Sequence, residues 1–343
     1  MYSFKNDYSE GAHPRILETL LRTNLEQCEG YGKDTYCEEA ENLIKNKLNN
    51  ESIEVHFISG GTQTNLIAIS AFLRPHEGVI SADTGHIFVN EAGSIEATGH
   101  KVISVDVVDG KLRRDDILSV LSKFTNEHVV KPKLVYISNS TEIGTIYKKS
   151  ELEELSKVCR ENNLLLFMDG ARLGSALSCK ENDLTLEDIS KLTDAFYIGG
   201  TKNGALLGEA LVICNKDLQE DFRYHLKQKG AMLAKGRLLG IQFIELFKDD
   251  LFFEIGKHEN DMADILRDGI SRLGYEFLVD SPSNQIFPVF NNDIIRELEK
   301  NYGFNIWEKV NEEKTAIRLV TSFATKEEPC LEFIKFLSGL TNK

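Results

Sequence analysis

From residue 54 onward, short apolar runs alternate with longer amphipathic stretches, and this alternation restricts the fold more than any other feature. The run "EVHFIS" (54–59) is strand-like, and "QTNLIAISAFL" after it has helical spacing. "GVISAD", "HKVISVDV" and "KLVYISN" follow as strands. "SELEELSKVCREN" opens with Ser150 and Glu153 in capping-box spacing, which predicts a helix starting there. "LLLFMDG" (164–170), "DAFYIGG" and "EALVICN" complete the series. Strands interleaved with helical segments of this length predict an α/β fold with a mainly parallel sheet covered on both faces.

The ends of the chain differ from this pattern. Before it, Ile16, Leu17, Leu20, Leu21 and Leu25 recur at helical spacing behind a polar arm. After it, "RYHLKQKGAMLAKGRLLGIQFIELF" and "KHENDMADILRDGISRL" read as long helices. "YEFLV", "QIFPVF" and "AIRLVTSF" then read as strands, and "LEFIKFLSGL" as a closing helix. We therefore expect an arm over 1–14, a large α/β domain over 15–250 and a smaller α+β domain over 251–343.

Charge and cysteine usage exclude several classes of function. Acidic residues outnumber basic ones 54 to 40, a net −14, with no Lys/Arg cluster to attract a nucleic acid. No run reaches the roughly 18 apolar residues of a membrane span, and "MYSFKNDYSEGAHPRI" has no apolar signal core. Six scattered cysteines without a CxxC pair suggest neither a metal site nor a disulfide framework. A cytoplasmic protein without membrane or nucleic-acid partners is expected.

Open α/β sheets bind ligands at the carboxyl ends of their strands, and four stretches fall there. In "SGGTQTN", Gly60, Gly61 and Thr62 lead into a helix whose free N–H groups suit a phosphate, although a plain strand-to-helix turn reads the same way. In "MDGARLG", Asp169 ends an apolar strand, either paired with Arg172, capping a helix, or meeting a ligand's cation or proton donor. In "GGTKNG", Lys202 sits among small residues, a clearance that a solvated lysine does not need. "TGHIFVNEAG" supplies His86 and Glu91, and "NEHVVKPK" supplies His128. An anion cradle, a carboxylate at a strand end, an isolated lysine and imidazoles are together the parts of a pyridoxal phosphate (PLP) site.

These stretches, with "LVYISNSTEIGT" and "AIRLVTSFAT", stand in the order seen in the low-specificity L-threonine aldolases, and the chain resembles that family over nearly its whole length. The family lies in the β-eliminating lyase group of fold-type I PLP enzymes. The resemblance implies a PLP-binding large domain, aldol cleavage of β-hydroxy-α-amino acids to glycine and an aldehyde, and a homo-oligomer, dimer or tetramer. It also implies that "EGYGKDTY" (29–36) reaches a neighbour's site. Lys202 matches the lysine that carries the cofactor, its neighbours being small so that the pyridine ring can lie against them. Asp169 matches the carboxylate on the ring nitrogen, and Gly60, Gly61 and Thr62 match the phosphate loop. His86 matches the imidazole on the ring face, and His128 a second histidine near the substrate hydroxyl. The base would be one of these two or a water between them. Arg172 and Arg318 look like the substrate-carboxylate pair. The arm has Asn6-Asp7 where the family has serine followed by aspartate, so Asn6 is placed at the substrate. Elimination or transamination of another amino acid is the alternative, because fold-type I enzymes share lysine, aspartate and phosphate loop.

Overall fold

The structure, a computed structural model, describes residues 1–341. Seven strands form the main sheet: β1 (Glu54–Ile58), β2 (Glu77–Ala82), β3 (Val102–Val105), β4 (Lys131–Ser138), β5 (Leu165–Asp169), β6 (Ala195–Gly199) and β7 (Glu209–Ile213). Their spatial order is β1-β7-β6-β5-β4-β2-β3. The pairs β2–β3, β2–β4, β4–β5 and β5–β6 are parallel, whereas β7 runs antiparallel to both its neighbours. The amino end of β7 therefore lies at the edge where the other strands finish.

Alternation along the strands separates two apolar layers. Val135, Ile137, Leu166 and Met168 pack in one core, and Leu134, Tyr136, Leu165 and Phe167 in the other. Helices cover both layers, among them α1 (Pro14–Thr23), α2 (Gly61–Phe72) and α3 (Lys149–Glu161). Helix α3 begins just ahead of the expected Ser150 cap, because the Lys148 amide donates to Glu151 Oε2 at 2.8 Å. Only the Glu151 half of a capping box forms, two residues upstream of the Ser150–Glu153 pair, since a lysine at the N-cap has no side-chain acceptor.

A third core gathers Phe4, Ala263, Leu266, Ile270, Phe290, Ile317, Leu319 and Phe333 around a small antiparallel sheet. Helix α4 (Leu251–Arg272) links it to the rest. Its first turns place Leu251, Phe252 and Ile255 in the large core, and its later turns place Ala263 and Leu266 in the small one. We accordingly propose that the division between the units falls inside this helix rather than at residue 250. The arm is also less separate than its polarity suggests: Tyr2–Ser3 pairs with Tyr302–Gly303, and Phe4 is fully buried. "YEFLV" contributes only an isolated Phe277–Pro288 bridge. The long helix expected over "RYHLKQKG…" breaks into Phe222–Gln228 and Arg237–Phe247, with Gly230 in the left-handed region between them. Among the described residues, no helix is long and apolar enough to cross a membrane.

One close approach fixes the centre of the sheet edge. A Cβ on Gly170 would stand 1.9 Å from the Tyr197 carbonyl oxygen, so the residue after Asp169 has to be glycine for β5 and β6 to end side by side. Gly170→Ala is expected to destabilise the fold by about 1–3 kcal/mol through overpacking, read by denaturant unfolding.

Candidate active site

Five strand ends and the start of β7 surround a cavity of about 330 Å³. Ser59, Gly60, Gly61 and Thr62 follow β1, His86 follows β2, and Ser138 and Glu142 end β4 or follow it. Asp169 ends β5, Thr201 and Lys202 follow β6, and Glu209 begins β7. A second, outer chamber of about 660 Å³ continues from it toward Asn305, Trp307 and Arg318. Tyr8, His86, Glu142, Arg172 and Lys202 line both.

Asp169 is 4% exposed and accepts from four donors. Tyr136 Oη and Asn65 Nδ2 bond Oδ2 at 2.6 and 3.0 Å, while the Tyr197 hydroxyl and the Ala171 amide bond Oδ1. Burial alone would push this carboxyl up, but the His86 charge and the tyrosine hydroxyls outweigh it and hold it below the usual carboxylate range. A buried, ionised carboxylate is suited to binding a protonated ring nitrogen. Asn65 also donates to Glu91 Oε1 at 2.8 Å, and Glu91 Oε1 lies 2.9 Å from His86 Nδ1. One side chain thus ties Asp169 to Glu91, the carboxylate that holds His86. Burial lowers the imidazole pKa, yet the Glu91 bond and Asp169 carry it above its ordinary value.

Lys202 Nζ lies 6.0 Å from the Tyr8 ring centroid and, among the described residues, makes no ion pair within 4 Å. Burial, then the nearby Arg172 charge, push its ammonium down, which favours the neutral, nucleophilic amine. The small residues beside it have a cause other than ring clearance. A Cβ on Gly199 would meet the Ala171 carbonyl oxygen at 2.4 Å, and one on Gly200 the Gly208 oxygen at 2.6 Å. Neighbouring backbone therefore accounts for those glycines. Glu209, buried beside Lys202, accepts from the Gly200 amide at 3.0 Å, and burial pushes its carboxyl up to about 7.

At the cradle, helix α2 starts at Gly61, so its first N–H groups have no acceptor inside the helix and open toward the cavity. Lysine, buried carboxylate and amide cradle bound the same space, so the residues present fit PLP.

Arg172 is gripped by Asp7, Nε to Oδ2 at 2.7 Å and Nη2 to Oδ1 at 3.0 Å, and Asn284 also donates to Asp7 at 2.9 Å. Burial raises the Asp7 pKa, but Arg172 and Lys202 outweigh it and bring it below its ordinary value. Its stabilisation is therefore complete above the unfolded carboxyl value near pH 4 and is lost as pH falls through the lower folded value. Asp7→Ala should cost about 3–5 kcal/mol by stranding Arg172, and should remove that part of the acid sensitivity in pH-dependent thermal unfolding. Arg318 stacks over Trp307, its guanidinium carbon 5.1 Å from the ring centroid, and its buried Nε has no hydrogen-bond partner among the described residues.

Two sequence expectations are corrected. His128 is exposed, on the loop before β4, and the eight residues of β4 separate it from the cavity by about 23 Å at the usual strand rise. Asn6 does not line the cavity; its Oδ1 closes a local turn by accepting from the Tyr8 amide and Ser9 hydroxyl at 3.0 and 2.9 Å. Asp7 and Tyr8 are the arm residues that reach the site. Sequence reading also passed over Asn65, Tyr136, Tyr197, Glu142 and Glu209 as site residues. Asn65 was findable, standing one helical turn after Gly61 on the face that meets the cavity.

Residues 9–292 match the family model described as β-eliminating lyase. A low-specificity L-threonine aldolase of Pseudomonas aeruginosa is 31% identical over 303 residues, covering 87% of this chain and 84% of the relative. A solved Leishmania major threonine aldolase is 52% identical, with TM-score 0.99 over 99% of this chain and 100% of that one. The histidinol-phosphate aminotransferase of Clostridium acetobutylicum, 14% identical with TM-score 0.76 over 100% and 99% of the two chains, shares the fold alone.

Proposed function

Since the chain belongs to the β-eliminating lyase family, we propose the reaction that its cavity best supports, PLP-dependent cleavage of L-threonine or L-allo-threonine to glycine and acetaldehyde. It is a carbon–carbon lyase of fold-type I. The observation that carries this reading is the convergence of Lys202, Asp169 and the Gly60-Gly61-Thr62 cradle on a cavity that continues outward to Arg318, whose buried Nε has no hydrogen-bond partner among the described residues.

Lys202 would hold the cofactor through Nζ, Asp169 would bind its ring nitrogen, and Gly60, Gly61 and Thr62 its phosphate. When bound, PLP supplies a sink for the electron pair left on Cα when Cα–Cβ breaks. Arg318 takes the substrate carboxylate through the donors that Trp307 and Gln285 leave open. Arg172, spent in two bonds on Asp7, helps orient the substrate and holds the arm, with Tyr8, over the cavity. His86, pinned through Glu91 and Asn65, would flank the cofactor and helps keep the Asp169 carboxylate charged.

The working form is a homo-oligomer, a tetramer in our reading. Leu17, Leu21 and Leu25 are 47%, 80% and 93% exposed on and just after α1, apolar surface that a second copy would cover. The loop carrying Tyr31 lines a separate cavity of about 250 Å³, consistent with a role toward a neighbouring subunit. All six cysteines are free thiols, which suits the cytoplasm. The test is product analysis with L-threonine and L-allo-threonine in the presence of added PLP. Glycine with an aldehyde supports the reading, whereas a keto acid places the chain with the eliminating or transaminating enzymes. Light scattering gives the assembly.

A further inference from the structure

We infer that Glu142 is the catalytic base that removes the proton of the substrate's β-hydroxyl, a step that rests on the cleavage reaction proposed above. Glu142 lines both chambers and stands at their junction with Lys202, His86, Arg172 and Tyr8. The bond to be broken must lie at that junction, between an inner space that takes the cofactor and an outer one that ends at Arg318. Glu142 is anchored through one oxygen: Oε1 accepts from the His86 amide at 2.9 Å and from Ser138 Oγ at 2.8 Å. Neither bond uses Oε2, which is left for the occupant of the cavity that the side chain borders.

The other candidates are committed elsewhere. His128 is outside the site. His86 Nδ1 is held by Glu91, which fixes the ring where the reading above sets it against the face of the cofactor. Asp169 is surrounded by four donors, and Asp7 is engaged by Arg172 and Asn284. Glu209 bonds the Gly200 amide and lines the inner chamber only. Burial, then Asp169, raise the Glu142 carboxyl above its ordinary value, moving it toward working pH, where a base is most effective.

In the step, Oε2 takes the hydroxyl proton and the O–H pair becomes the second C–O bond of the aldehyde. The Cα–Cβ pair stays on Cα, where PLP, when bound, would supply the sink for it. A proton from solvent then reaches Cα to complete glycine, and Glu142 returns its own proton to solvent. Protons and electrons balance without an oxidant or reductant.

The test compares wild type, Glu142→Gln and Glu142→Asp, all loaded with PLP, in two assays: L-threonine cleavage, and exchange of glycine's Cα hydrogen in deuterated water. Exchange needs the cofactor but no β-hydroxyl base. Expected for Glu142→Gln is a fall in cleavage kcat of about 100-fold or more, the range for loss of a general base, with exchange reduced less than about threefold. Glu142→Asp, a carboxylate set back by one methylene, should recover part of the loss. Wild-type kcat should rise with pH as Glu142 deprotonates, a limb kept by Glu142→Asp and missing in Glu142→Gln. The other titratable or charged groups facing Glu142 are His86, Asp169, Lys202, Arg172, Tyr8, Tyr136 and Tyr147, and all remain in both variants. Near-normal cleavage by Glu142→Gln overturns the assignment, as does an equal loss of both reactions or a Glu142→Asp no better than Glu142→Gln. Wild type that exchanges glycine yet cleaves neither diastereomer overturns the cleavage reading itself, and this proposal with it.

Discussion

Lys202→Ala is expected to lose threonine cleavage by about a thousandfold or more while keeping its fold. The side chain is half-buried, without a counter-ion within 4 Å among the described residues, and its ammonium is pushed down by burial and Arg172. A structural lysine would hold its charge through a partner, whereas truncating this one removes a nucleophile without breaking an ion pair among the described residues. The expected result is an unfolding temperature near wild type, no visible absorption from covalently held PLP, and no cleavage above background. Activity within tenfold of wild type would remove Lys202 from the mechanism.

Asp169→Asn should have the next largest effect, a loss in kcat of about 100-fold or more together with weaker retention of PLP. The substitution keeps size but exchanges an acceptor of four hydrogen bonds for an amide carrying two donors. Tyr136, Tyr197 and Asn65 all point donors at this position, so at least one meets a donor in return, at about 1–3 kcal/mol for each bond left unmade. The negative charge that would keep the ring nitrogen protonated also disappears. Equilibrium dialysis against PLP and steady-state kinetics separate the two losses. Unchanged kcat in fully loaded protein would show that the charge is not used.

The parallel sheet was legible because its strands are buried on both faces and read as continuous apolar runs, and the residues closing those runs fall at one edge by topology. Asp169, Lys202, His86 and the Gly60-Gly61-Thr62 turn follow from that rule and meet in one cavity. His128 shows where a local motif misleads: it precedes its strand, and strand direction puts the start and the end of β4 on opposite sides of the sheet. Asn6 and Asp7 were interchangeable in the string, and the partner that separates them, Arg172, is 165 residues away. The glycines beside Lys202 looked like room for a ligand because the string does not show that Ala171 and Gly208 press on them. The helix expected across residue 230 was misread for a related reason, since a break at a left-handed glycine is a tertiary decision.

Glu142 illustrates what chemistry alone leaves hidden. Between Thr141 and Ile143 it looks like an ordinary surface acid; only the turn after β4 brings it against His86 and Ser138. Its raised carboxyl and the lowered Asp169 carboxyl stand in one cavity, two acids driven apart by their surroundings, the pattern by which a fold separates proton acceptor from charge stabiliser.

The most direct test of the account is the stoichiometry of L-threonine turnover by the PLP-loaded protein, with glycine and acetaldehyde measured in the same sample. Equal amounts of the two, dependent on PLP and absent in Lys202→Ala, are the predicted result. Ammonia with a keto acid, and no glycine, would contradict it.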